Sequence, residues 1–238
     1  MDRKGKYLVI DGIDGSGKST RVKMLADYLR SRDKLIFDLT EFSKSHDDPP
    51  QPEELFKYDI ILANEPTYFW AGRAVRKEAI SSMHQRHYGP TFIAEGYSFD
   101  RGILDTMIIS PVLMEGVTVI KDRALTTTLA YQTSQGVSLE YLLSLEGNKI
   151  ALSNPPDAII IADCPPDVAI ERLRTRLDKN DNAIFEKLEF LKRADNAFKS
   201  EWFRNIFESR GTKIIYLNTA RNLETEMKEL ISIYDSIA

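Results

Sequence analysis

Short apolar runs and longer amphipathic stretches alternate along the chain. Tyr7–Ile10, Lys34–Leu39, Asp59–Ala63, Val117–Lys121, Ala158–Ala162 and Lys213–Leu217 have strand length. Helical spacing of apolar residues fills the intervals. Val22, Leu25 and Leu29 predict a helix over 18–31. Ile93, Tyr97, Leu104, Ile108 and Val112 form a stripe that predicts one long helix from Pro90 to Met114, with Pro90 suited to its first turn. Residues 126–145 read as two helical pieces broken near Gly136, and Val168–Leu177 as a further helix. A helix of roughly 20 residues follows from Glu186, with Leu188, Leu191, Phe198 and Trp202 turned inward. Residues 221–236 are the last helix. Residues 43–54 are polar and carry Pro49, Pro50 and Pro52, a surface excursion. Pro66 biases Glu65 away from helix, and 178–184 is a polar turn. Strands that alternate with helices, without a repeat, predict an α/β chain with a parallel sheet covered on both faces. Ligands then belong at the carboxyl ends of the strands.

Composition narrows the partners. The chain has 238 residues, enough for one α/β domain with a core, and a net charge of −4. No basic block marks a nucleic-acid polymer as partner. The single cysteine, Cys164, excludes an internal disulfide and reads as a small buried hydrophobe. No apolar run approaches membrane-spanning length, so neither a signal peptide nor a membrane partner is expected, and the expected compartment is the cytoplasm. His84 and His87 have metal-ligand spacing but no third ligand nearby, and read as a solvated turn.

One stretch carries chemistry on its own. After the first apolar run come Gly12, Ile13, Asp14, Gly15, Ser16, Gly17, Lys18, Ser19 and Thr20, which fit G-x-x-x-x-G-K-[ST]. Glycines let successive N–H groups point at one anion. The helix that begins near Lys18 adds the positive end of its dipole. Lys18 is a point charge for β and γ phosphates, and the Ser19 hydroxyl is a hard oxygen for Mg²⁺. The stretch predicts nucleoside triphosphate binding.

Further fragments stand in order behind it: Glu65-Pro66-Thr67 with Gly72 to Arg76, Asp122-Arg123 with Leu129-Ala130-Tyr131-Gln132, and Pro156-Asp157 with Arg172 and Arg176. Together with Gly12–Thr20 they resemble the thymidylate kinase family, from Tyr7 to about Tyr234. The resemblance implies a three-layer P-loop NTPase fold with a five-stranded parallel sheet, helices on both faces and a short lid. It implies one kinase domain over 1–238, with the lid near 174–186 and an insertion near 41–58. The reaction would be ATP plus dTMP giving ADP plus dTDP, with Mg²⁺, in a homodimer.

Roles follow by similarity. Gly12 to Thr20 would hold the ATP phosphates. Asp122 would join Ser19 at the metal. Asp14 would lie near the acceptor's sugar hydroxyl and phosphate, and Arg123 and Arg76 would bind that phosphate. Tyr97 would stack on thymine and Arg101, on the same helix face, would bond its carbonyl. Thr128, Tyr131 and Gln132 would complete the pocket, with Tyr131 against C2′, and Glu65 and Pro66 would line it. Gly15 stands where some members carry a loop arginine, so a lid arginine would act at the transferring phosphate. Arg176 is the first choice, Arg174 the second, and Arg172 would lie near adenine; Phe185-Glu186 match the end of the lid motif, and Glu186 would approach the metal. Asn64 and Ala124 stand where the family commonly has Arg and Tyr, and Ala183-Ile184 where Asp-Arg is common. A broader deoxynucleoside monophosphate kinase, a deoxynucleoside kinase and a regulatory nucleotide switch are the alternative functions.

Overall fold

The computed structural model describes residues 4–80, 87–175 and 188–237. The strands are β1 (Tyr7–Asp11), β2 (Ile36–Asp38), β3 (Ile60–Asn64), β4 (Thr118–Asp122), β5 (Ala158–Asp163) and β6 (Lys213–Asn218). They form one parallel sheet in the order β2-β3-β4-β1-β5-β6. The sheet thus has six strands and not five. Residues 36–38 remain paired to β3 as a short edge strand, and Phe37 packs there between Phe42 and Tyr58. That strand is shorter than the apolar run 34–39, because the Asp38 carboxylate accepts the Glu41 N–H at 3.0 Å and starts a helix at Leu39.

The helices are α1 (Lys18–Arg30), α2 (Leu39–Ser45), α3 (Trp70–Val75), α4 (Pro90–Leu104), α5 (Ser110–Met114), α6 (Leu125–Ser134), α7 (Leu139–Ser144), α8 (Glu146–Ser153), α9 (Pro166–Arg174), α10 (Leu188–Lys199), α11 (Glu201–Glu208) and α12 (Leu223–Ile237). The stretch 90–114 is helical from end to end, with a π turn at Asp105–Ile109 between α4 and α5. The excursion 43–54 is less irregular than its prolines suggest, since α2 and a 3-10 turn (Pro52–Leu55) occupy much of it, and Leu39 and Leu55 are buried. The pattern gave no sign of α8. The described part of the helix expected from Glu186 is interrupted at Ser200, whose hydroxyl accepts the Phe203 N–H and starts α11.

Alternation along β1 builds the layers. Tyr7 and Val9 join a core cluster with residues of α5, α6, α10 and α11. Leu8 and Ile10 join the opposite cluster, with Val22, Leu25 and Leu29 of α1 and Leu230 of α12. Apolar side chains on both faces of every central strand are what a parallel sheet under two helical layers requires. β1 sits between β4 and β5, where the chain changes direction across the sheet, so its carboxyl end opens at the switch point. Among the described residues no helix is long and apolar enough to cross a membrane.

Candidate active site

The glycine-rich turn leaves β1 at that switch point and becomes α1 at Gly17, whose φ is +89°. Gly15 has a φ of +82°, and a Cβ there would lie 2.2 Å from the Ala169 carbonyl of α9. Position 15 therefore has no room for a side chain. Lys18 is 4% exposed and its ammonium donates to the Ile13 carbonyl at 2.8 Å. Burial pulls its pKa down to about 8, Arg123 pushes the same way, and Asp14, Asp11 and Asp122 oppose them.

Ser19 and Asp122 come together. The Ser19 hydroxyl donates to Asp122 Oδ2 at 2.5 Å. Asp122 Oδ1 is buried and has no hydrogen-bond partner among the described residues. An orphaned carboxylate oxygen beside a hydroxyl is a hard donor set of the kind Mg²⁺ takes, alongside substrate phosphates and waters. The described residues contain no cluster of three or more His, Cys, Asp or Glu that could hold a metal without such help.

A second group ties the loop to α6. The carboxylate of Asp14 pairs with Arg123, and the Asp14 N–H donates to the Tyr131 hydroxyl at 2.8 Å. Arg123 has a φ of +69°, a left-handed backbone for a non-glycine residue. Such a conformation costs about 1–3 kcal/mol and persists where the surroundings over-determine it. Here the Arg123 N–H is tied to the Ile10 carbonyl at 3.1 Å. Burial lowers the Arg123 pKa, but Asp14 and its neighbours outweigh burial and hold it well above the usual guanidinium value. Tyr131 in turn packs edge-on against Phe190 of α10.

The acceptor-side candidates lie in a buried network of charges. Arg101 is 1% exposed; its Nε–H donates to Glu65 at 2.8 Å, and its other nitrogens donate to Thr128 at 2.8 Å and to Asn148. Lys121, wholly buried, bonds Glu65 and also Asp105 at 3.0 Å. Burial alone would raise the Glu65 pKa, but Arg101 and Lys121 overcome it and hold Glu65 low. Burial would lower Lys121, but Asp105 and Glu65 hold it well above its ordinary value. Next to this network Thr67 bonds Asp100 through its N–H at 2.8 Å and its hydroxyl at 2.6 Å. Pro66 follows Glu65 through a cis peptide bond. Arg76 donates to the Thr67 carbonyl at 3.0 Å and lies 3.8 Å over the Tyr68 ring. Tyr97 is half-buried on α4, one turn before Arg101. Gln132 is buried on α6 and reaches Gln135 at 3.4 Å.

On the far side of the loop, Arg172 donates to the Thr219 carbonyl at 2.8 Å, beyond β6. Arg174 pairs with Glu171 on an exposed face. Arg176, Ala183, Ile184, Phe185, Glu186 and His84 lie outside the described residues. His87 is exposed and bonded to Glu78.

Sequence reasoning missed several members. Asp11, wholly buried, accepts from the Gly12 N–H at 2.8 Å and from the Thr126 and Thr127 hydroxyls, so it clamps the loop to the first turn of α6. Lys121 and Asp105 were also missed. The available signal was a lysine at the end of an apolar strand run, which demands a buried anion. Arg21 and Glu226 form a buried pair that joins α1 to α12, with nothing in their spacing to announce it.

Comparison with known proteins places the chain among relatives. A family model described as thymidylate kinase matches residues 55–230. The probable thymidylate kinase of Thermococcus kodakarensis is 28% identical over 239 residues, covering 97% of this chain and 98% of the relative. The thymidylate kinase of Prochlorococcus marinus strain NATL1A is 30% identical over 236 residues, covering 96% and 98%. The probable thymidylate kinase of Pyrococcus abyssi is 30% identical over 192 residues, covering 80% and 78%.

Proposed function

Because the chain belongs to the thymidylate kinase family, we propose that it transfers the γ-phosphoryl group of ATP to dTMP. An acceptor phosphate oxygen attacks Pγ, the bond from Pγ to the oxygen of the β-phosphate breaks, and ADP leaves with that oxygen. The observation that carries this reading is the junction of Asp14, Arg123 and Tyr131, which hydrogen-bonds the triphosphate loop to the element that bears the acceptor candidates. Transfer between two anions needs alignment and charge neutralisation more than covalent help.

In this reading Gly12 to Thr20 cradle the ATP phosphates, with Lys18 at the β and γ groups and Arg172 toward adenine. Arg123 and Arg76 grip the acceptor phosphate, for which a planar guanidinium is suited. Asp14 faces the acceptor's sugar and phosphate. Tyr97 stacks on the base, Arg101 and Thr128 bond its edge, and Gln132, Glu65 and Pro66 complete the wall. Tyr131 stands against C2′. Ser19 and Asp122 would hold Mg²⁺, which supplies charge neutralisation at the β and γ phosphates. A lid near 174–186 would bring Arg176 to the transferring group and exclude water, the competing acceptor.

The whole chain would act as one domain, as a homodimer in the cytoplasm. Support for the dimer is an apolar stripe on α4, where Phe92 and Phe99 are 54% and 65% exposed. A coupled ADP-release assay over nucleosides and monophosphates tests the function. The expected result is preference for dTMP; equal turnover of dCMP, dGMP and UMP would replace it with the broader kinase, and turnover indifferent to any monophosphate with the switch.

A further inference from the structure

Two buried oxygens with no hydrogen-bond partner among the described residues belong to side chains at the carboxyl end of the sheet. One is Asp122 Oδ1 and the other is Asn64 Oδ1. β3 and β4 pair in register so that Asn64 lies opposite Asp122. Paired strands are about 4.8 Å apart, and their side chains keep to one face with a period of two. Ile60 and Leu62 of β3, and Ile120 of β4, belong to the core cluster that packs on α1. Two residues further along each strand, Asn64 and Asp122 continue that face. α1 is the helix that carries Ser19, and the Ser19 hydroxyl already reaches Asp122 Oδ2.

Leaving a buried carbonyl oxygen unpaired costs about 1–3 kcal/mol. A strand-end asparagine that served only the fold would recover that cost by accepting a nearby N–H, and among the described residues no donor reaches Asn64 Oδ1. The orphan therefore faces a group that arrives later. The neighbouring orphan is a carboxylate oxygen, so this group brings positive charge or donors suited to hard oxygens. We propose that Asn64 is a further oxygen donor to the divalent cation at Ser19 and Asp122, directly or through one of the cation's waters. The inference rests on the reading of Ser19 and Asp122 as metal donors. It makes the end of β3 part of the metal's surroundings, on the strand that leads directly into Glu65 and Pro66.

The test is Mn²⁺ binding to the whole chain in the presence of ADP, followed by the paramagnetic signal of free Mn²⁺, together with the melting temperature of the metal-free protein. Asn64→Leu is expected to weaken Mn²⁺ by about tenfold or more, as loss of an outer partner of a metal site does. It is also expected to raise the melting temperature of the metal-free chain by about 3 °C, because an unpaired buried oxygen is gone. Asn64→Ala, which cannot overpack, should lose the same affinity, and Asn64→Asp should keep or tighten it. Unchanged Mn²⁺ affinity in both Asn64→Leu and Asn64→Ala overturns the inference while leaving Ser19 and Asp122 in place. So does a fall in melting temperature with affinity intact, which would assign the oxygen to a structural water. Mn²⁺ binding that Ser19→Ala leaves unchanged would remove the underlying reading of the metal site, and the inference with it.

Discussion

The two ends of the candidate site are built by opposite means. At the end proposed for the triphosphate, the site is built from main-chain conformation. Gly15 and Gly17 take left-handed backbone, α1 begins at once, and Lys18 is buried against the loop's own carbonyl. All of this lies within a dozen neighbouring residues. At the acceptor end, side chains do the work. Glu65, Arg101, Asp105, Lys121, Thr128 and Asn148 come from the residue after β3, α4, the π turn, β4, α6 and α8 and meet in one buried network. The lesson is about tolerance. A main-chain cradle survives most side-chain changes and fails with its one cation. A buried network of charges is sensitive to each charged member, because each such loss strands an opposite charge away from water.

The largest expected effect tests the first half of that contrast. Lys18→Ala should cut kcat by about a thousandfold, in line with loss of a charge stabiliser at a reacting phosphate, and leave the melting curve in place. Turnover near wild type would mean that the cradle does not hold the transferring group. The second half is tested by Lys121→Ala. It leaves Glu65 and Asp105 buried without their shared cation, and should cost about 3–5 kcal/mol of stability in chemical denaturation. A loss below about 1 kcal/mol would show that the network is solvated and not load-sharing.

Arg101 joins the two questions. Arg101→Ala should raise the KM for dTMP by about ten- to a hundredfold and the KM for ATP much less, if the guanidinium serves the base as well as Glu65. Equal effects on both substrates would confine Arg101 to the fold. The smallest effect concerns pH. In the free protein burial holds the Lys18 pKa at about 8, below the ordinary lysine value of 10.5. A phosphate binds the protonated form, so affinity for an ATP analogue should fall above pH 8, by at most about tenfold per pH unit. Stability has the opposite sign: between the two values the unfolded chain holds a proton that the native chain has released, so Lys18 makes stability rise with pH in that window. Calorimetric titrations from pH 7 to 9.5 read the binding slope, and a flat profile would contradict a buried, proton-poor Lys18.

The same contrast sets what was legible in the sequence. Gly12 to Thr20 could be read in full because the motif is local and each residue's task follows from its type. The layers were legible too, since unbroken apolar runs such as Tyr7–Ile10 between helices imply a sheet covered on both faces, as the two core clusters show. The edge strand was legible as the apolar run 34–39, and the count of five came from the resemblance alone, which the six paired strands correct. The break at Ser200 was hidden by continuous helical spacing from Leu188 to Trp202. In the network, Glu65 and Arg101 were named through resemblance, but their pairing across 36 residues was not. Asp11 fell between the first apolar run and the glycine-rich turn with no role assigned, and only its place beside Thr126 and Thr127 reveals it as the clamp between loop and helix. Contacts between distant elements leave no periodic trace in either partner.

The most direct test of the central claim is a crystal structure of the chain with dTMP and a non-hydrolysable ATP analogue. The account predicts the two phosphate ends facing each other, with the dTMP phosphate within hydrogen-bond reach of Arg123 and the base between Tyr97 and the 128–132 face of α6. A dTMP molecule bound away from residues 97–132, with Arg123 still paired to Asp14, would contradict it.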